Sequence, residues 1–262
     1  MQLSLAMFDT GASTHVGKVR QHNEDRFLSM PATGIWAVAD GMGGHEDGEY
    51  ASQTIVEALG AIEAPASAAD LLARCEAQLV EANGRLREIG NQRGGAVVGA
   101  TIAVLLTYER HYACIWSGDS RIYVVREGTI SQLSRDHTEV QQLLAGGAIT
   151  PEEAKSWPNS NVVTRAIGVF DSPELELTSG ALESGDSFVI CSDGLTQHIE
   201  DREILGCVSS SGSQQACDAL IALTLERGAV DNVTVVVVRY QPDPLDATRT
   251  GTVPPDLWEW RG

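Results

Sequence analysis

Basic residues are scarce. Eighteen lysines and arginines stand against 36 aspartates and glutamates in 262 residues, a formal charge of −18. Neither nucleic acid nor an anionic membrane would attract such a chain, which excludes both as main partners. Cysteine is sparse as well: Cys75, Cys114, Cys191, Cys207 and Cys217 are odd in number and include no CxxC pair. That argues against a disulfide framework or a zinc site and for reduced thiols. The most apolar stretch, residues 96–106, is too short and too interrupted by glycine and threonine to span a bilayer. The opening MQLSLAMFDTGASTHVGK has no basic residue before Lys18 and no long apolar core, so it does not read as a secretory signal. A soluble, cytoplasmic protein is expected. An anionic substrate is still admissible, because a bound cation can reverse the sign of a local field.

What remains is ordinary globular composition, 43% hydrophobic and 21% charged, which disfavours general disorder. Residues 48–62 place Ala51, Ile55, Ala58, Leu59 and Ile62 on one helical face, and residues 70–89 repeat Leu72, Cys75, Leu79, Ala82, Leu86 and Ile89 at intervals of three and four. Further helices are predicted near 201–208 and 213–227. Between these pairs, ATIAVLLTYE, HYACIWSG, RIYVVREG and TISQLS are β-rich runs joined by a few residues each, which permits antiparallel hairpins and forbids parallel crossovers. DSFVICSD and NVTVVVVRY are almost continuously apolar, as strands covered on both faces should be. The pattern predicts an α+β sandwich. Residues 135–170 are less regular; Thr150-Pro151-Glu152-Glu153 is a capping-box start with proline at the first helical position, predicting short surface helices. The tail from residue 241, with Trp258 and Trp260, is expected to be a strap or a docking segment.

The chemistry lies in acids at strand ends and turns. VRQHNED carries Arg20, Glu24 and Asp25; WAVADGMGG carries Asp40; GDSR puts Asp119 in what reads as a hairpin turn; CSDGL carries Asp193; and VDNVTVVVV carries Asp231. Any one of them could be a turn former. Together, uncompensated carboxylates flanking buried strands would cost too much, whereas a cluster of hard oxygen donors suits Mg²⁺ or Mn²⁺. The glycines of GMGGHEDG are not followed by Gly-Lys-Ser/Thr and form no GxGxxG, which excludes a phosphate-cradling P-loop. VADGM lacks the second aspartate of the Asp-x-Asp nucleophile used by haloacid-dehalogenase-type phosphatases.

GKVRQHNED, AVADGMGGHEDGEYAS, GATIAVLL, SGDSRIY, TRAIG, CSDGL and DNVTVVVV occur in one order from about Gly17 to Tyr240. In that order they resemble the bacterial metal-dependent Ser/Thr protein phosphatases of the PPM (PP2C-like) family. The resemblance implies a four-layer α-β-β-α sandwich of two antiparallel sheets, with a dimetal site at one end. It divides the chain into a phosphatase domain over 1–240, with a flap at about 135–170, and a tail over 241–262. It makes Asp40 a bridge between two ions and the Gly41 carbonyl a ligand of the second. Asp193 and Asp231 would hold the first ion and Glu24 the second, with Asp25 a ligand or a partner of metal-bound water. Asp119 would help hold a weaker third ion. Arg20 would grip the substrate phosphate.

The activity so implied is hydrolysis of phosphoserine and phosphothreonine in proteins by a monomer using Mn²⁺ or Mg²⁺, opposing a Ser/Thr kinase. A non-catalytic partner-binding module is the alternative. Cys191, beside Ser192 and Asp193, reads as a core thiol. Eukaryotic members carry histidine where this chain has Met42. The proton for the leaving group would then come from His45 or from a metal-bound water.

Overall fold

The computed structural model describes residues 7–154, 157–158 and 162–241. Its first elements are β1 (Met7–His15), β2 (Asp25–Met30), β3 (Ile35–Met42), α1 (His45–Gly60) and α2 (Ala68–Gln92). Then follow β4 (Gly99–Tyr108), β5 (His111–Ser117), β6 (Arg121–Arg126), β7 (Thr129–Gln132), α3 (Glu139–Ala145) and α4 (Pro151–Ala154). The chain continues with β8 (Glu176–Ala181), β9 (Ser187–Cys191), α5 (Asp193–Thr196), α6 (Asp201–Ser210), α7 (Ser213–Glu226) and β10 (Val233–Gln241).

The strands form two antiparallel five-stranded sheets, ordered β1-β10-β9-β6-β7 and β2-β3-β4-β5-β8. Period-two alternation decides which core each side chain enters. In β3, Trp36 and Val38 point between the sheets, while Ile35, Ala37 and Ala39 point outward under α1 and α2. β10 does the same on the other side: Val236 and Val238 enter the inter-sheet core, and Val233, Val235 and Val237 lie under α6 and α7. Three apolar clusters thus separate four layers, the expected α-β-β-α sandwich. The near-continuous apolar runs of β9 and β10 follow from burial on both faces.

The helices start and stop for local reasons. Ser67 caps α2 by accepting from Asp70 N at 3.1 Å. Thr150 and Glu153 make the reciprocal bonds of a capping box ahead of α4, at 2.8 and 3.2 Å. α3 and α4 bury no residue, as predicted for short surface helices. The five cysteines are unpaired, and four of them are buried. The tail from residue 242 lies outside the described residues.

One reading needs correction. β4–β5 and β6–β7 are hairpins, but β5 and β6 are not. β5 pairs with β4 and β8, and β6 with β9 and β7, so Gly118–Asp119–Ser120 carries the chain from one sheet to the other. A short loop between two fully buried strands has the same sequence signature in either case; what differs is which edges are already taken.

The antiparallel order brings particular strand ends together. Asp25 at the start of β2 faces Asp40 near the end of β3. Asp193 follows β9, Asp231 precedes β10, and Cys191 of β9 is in register with both Val235 and Arg121. The five aspartates read from the sequence therefore meet at one end of the sandwich.

Candidate functional site

At that end the carboxylates press on one another. Asp40 is held well above the ordinary carboxylate range, first by burial and then by Asp25, Asp193, Asp119 and Asp231. Asp25 is 1% exposed and pushed up to about 7, chiefly by burial, with Ser192 and Thr234 pulling it back. Asp119 is pushed up to about 8 by burial and by Asp193. Asp193 is raised by burial and by Asp231. Carboxylates gathered this way are short of a cation.

Glu24 and Gly41 belong to the same construction. Gly41 N–H donates to Glu24 O at 3.2 Å, and Ser52 Oγ to the same oxygen at 2.5 Å. A Cβ on Gly41 would overlap the Gly48 carbonyl and lie 2.8 Å from Glu24 O. The start of α1 therefore lies directly on β3, and only glycine allows it. Arg20 is half-exposed and donates through Nη2 to Asp231 Oδ2 at 2.7 Å. It lines a cleft of about 450 Å³ with His22, Glu24, Gly41 and Met42. Asp119 and Asp193 face a neighbouring hollow of about 250 Å³ with Arg121, Asp136 and Gln197. The His45 side chain lies outside the described residues.

Three polar residues of the site escaped the sequence reading. Asn232 accepts from Glu24 N–H at 2.8 Å and donates to Val16 O and His22 O at 2.9 Å each, so one amide pins the β1–β2 loop at three points. Ser192 donates to Asp25 Oδ2 at 2.8 Å and accepts from Thr234 N–H at 3.0 Å. Gln197 donates to Asp193 Oδ2 at 2.7 Å. The signal was present as Asp-Asn and Ser-Asp dipeptides, but such pairs are common in plain turns.

The donor set suits a hard divalent ion. The clustered side chains are oxygen donors without histidine or cysteine, and Asp25 Oδ1 is buried with no hydrogen-bond partner, a costly arrangement that a cation or its water would relieve. Among the described residues no three acidic or histidine side chains form a ready-made ligand set. Mg²⁺-type sites need few protein ligands, because the ion keeps several waters.

A profile described as Protein phosphatase 2C matches residues 10–233. The chain belongs to the protein phosphatase 2C family. Its relatives within that family include the serine/threonine protein phosphatase PstP of Mycobacterium tuberculosis, 36% identical over 222 residues. The match covers 84% of this chain and 43% of PstP, so the chain spans less than half the length of that relative. Among solved structures, PppA, a key regulatory component of the type VI secretion system in Pseudomonas aeruginosa, has a TM-score of 0.84 at 38% identity. That match covers 90% of this chain and 99% of PppA. The catalytic domain of PstP in complex with two manganese ions has a TM-score of 0.80 at 33% identity, covering 89% of this chain and 98% of that one.

The carboxylate cluster has a pH signature. Asp25 and Asp119 have folded values raised to about 7 and about 8, against about 3.9 for a free aspartate. Their contribution to stability is complete below the free value and is lost as pH rises through the folded values. Binding a divalent ion requires the ionised carboxylates and releases protons. Added Mn²⁺ is therefore expected to raise the melting temperature little at about pH 5 and much more at about pH 8. Equal shifts at the two pH values, in parallel thermal melts, would contradict the cluster as the binding site.

Proposed function

We propose that this chain hydrolyses phosphoserine and phosphothreonine in proteins with the help of two Mn²⁺ or Mg²⁺ ions. The observation that carries the reading is the convergence of Asp40, Asp193, Asp231, Asp25 and Glu24 beside Arg20, in a member of the phosphatase 2C family. Asp40 would be shared between the two ions; Asp193 and Asp231 would hold the first, and Glu24 with the Gly41 carbonyl the second. Asp25, whose Oδ1 has no hydrogen-bond partner, would take an ion or its water, and Asp119 would help hold a weaker third ion. When bound, the ions polarise the phosphoryl oxygens and lower the pKa of coordinated water.

The chain's own side chains do the rest. Arg20, on the open side of the cleft, holds two phosphate oxygens through its planar guanidinium. Ser192 and Asn232 fix Asp25 and the Glu24 backbone, so the carboxylates need not reorganise as charge moves. Cys191 takes no part: it is fully buried, and burial pushes its thiol up to about 12, which leaves no thiolate to attack. Residues 135–170 form the flap beside the site, and the phosphatase domain ends at about residue 240. The protein works as a monomer in the cytoplasm against a Ser/Thr kinase; among the described residues no helix is long and apolar enough to cross a membrane.

Purified protein should release phosphate from a phosphothreonine peptide with Mn²⁺ or Mg²⁺, and EDTA should abolish the release; full activity in EDTA refutes the reading. In the same assay Arg20→Ala should lower kcat/KM by about 10- to 100-fold, the worth of charge-assisted hydrogen bonds. Because the ion pair with Asp231 is half-exposed, its loss should barely change the melting temperature. Unchanged kinetics would remove Arg20 from the phosphate site.

A further inference from the structure

His137 has no role in the reaction above, yet it is 5% exposed and joins four pieces of chain. Its backbone N–H donates to Gly118 O at 2.9 Å, and Gly118 N–H donates back to its Nδ1 at 3.1 Å. Its carbonyl accepts from Thr164 N–H at 2.7 Å and from Thr164 Oγ1 at 3.0 Å. Its ring stacks on Trp116, with centroids 6.2 Å apart, and its Nε2 lies 3.2 Å from Glu176 Oε1 on β8.

These contacts assign the tautomer. A backbone N–H can only donate, so Nδ1 must offer a lone pair, and the single proton of a neutral imidazole sits on Nε2. Nε2–H then donates to Glu176. Arg165 Nη1, 3.4 Å from Nε2, has no acceptor there and bonds Glu176 Oε1 at 2.8 Å instead. Burial keeps the ring neutral against the opposing pull of Glu176.

The residues around His137 extend the link. Thr138 bridges to Val163, and Glu139 N–H donates to Val162 O at 3.0 Å. Residues 137–139 and 162–164 of the 135–170 segment are thus fastened to each other at this point. On the other side, Gly118 opens the crossover that carries Asp119. That crossover belongs to neither sheet; its second fastening is Ser120 Oγ to Thr101 Oγ1 at 2.7 Å.

We propose that His137 is a positioning residue that couples the 135–170 segment to the Asp119 carboxylate, so that the arrangement of the segment sets how Asp119 meets a divalent ion. The idea rests on the reading of Asp119 as an ion-contacting residue given above. It predicts that the contact through Nδ1 matters and the contact through Nε2 does not.

Two variants separate these contacts. Asparagine at 137 places its Oδ1 near the position of Nδ1 and can accept from Gly118 N–H; glutamine reaches the position of Nε2 instead. His137→Gln is expected to raise the Mn²⁺ concentration for half-maximal turnover of a phosphothreonine peptide by about tenfold. It should speed amide exchange at Gly118 and Asp119 by a similar factor, whereas His137→Asn stays within about twofold of the parent on both. In an Asp119→Ala background, His137→Gln should add nothing to the Mn²⁺ requirement.

Asn and Gln variants that behave alike, or an additive double mutant, would overturn the coupling and leave His137 a packing residue. If Asp119→Ala leaves the Mn²⁺ dependence untouched, the reading of Asp119 fails. The coupling is then decided by exchange at Gly118 in His137→Gln, and unchanged exchange overturns it.

Discussion

Asp40→Asn is expected to lower turnover of a phosphothreonine peptide by about a thousandfold or more, some 4 kcal/mol of transition-state stabilisation, while making the metal-free protein more stable. The two effects have one origin. Asp40 lies opposite Asp25 in the strand register and is repelled by four other aspartates, so its charge costs folding energy that only a cation returns. Asparagine has the same shape, removes that charge and can donate a hydrogen bond to Asp193. A gain of about 1 kcal/mol, typical of relieving one unfavourable interaction at a functional site, is expected in chelator-treated protein. Added Mn²⁺, which stabilises the parent, should stabilise the variant far less. Chemical denaturation with and without EDTA measures this directly. Activity near that of the parent would end the bridging role of Asp40. A less stable apo variant would show that the cluster is not repulsive.

How much of this was legible depended on what each segment buries. The spacing of three and four along α1 and α2, and the unbroken apolar runs of β9 and β10, are imposed by cores on the faces those elements cover. β1, β2 and β8 left no comparable mark. They are sheet edges, and β8, half-buried along nearly its whole length, asks little of ELTSGA. The crossover at Asp119 was misread as a hairpin because loop length does not reveal which strand edges are free. In the site, the aspartates were readable because ionised groups beside buried strands demand an explanation. Their supports were not: Asn232, Ser192 and Gln197 act through single hydrogen bonds, and His137 acts through a lone pair on a ring that sequence alone would place in a core.

Close approach of backbones is the least visible of these supports, and it gives the second large expected effect. Gly194, inside the short helix α5 between Asp193 and Leu195, lies so near the Asn232 carbonyl that any Cβ would fall within that oxygen, and the obstacle is backbone rather than a side chain that could rotate away. Gly194→Ala must therefore push the loop carrying Asp193 away from the loop carrying Asp231 and Asn232. Overpacking of this kind costs about 3 kcal/mol. The displacement falls on two proposed ligands of one ion and on the amide that holds Glu24. Since a shift of about 1 Å in a catalytic group costs about a hundredfold, kcat should fall at least that far even in the fraction that stays folded. The Mn²⁺ requirement should rise with it. Gly84→Ala is the matching control: the position is exposed on α2 with nothing within 4 Å of the new methyl group, and alanine there should stabilise the protein by about 1 kcal/mol without touching activity. If Gly194→Ala melts and turns over like Gly84→Ala, the loops carrying Asp193 and Asp231 are not held at contact distance, and the geometry assigned to the two aspartates is wrong.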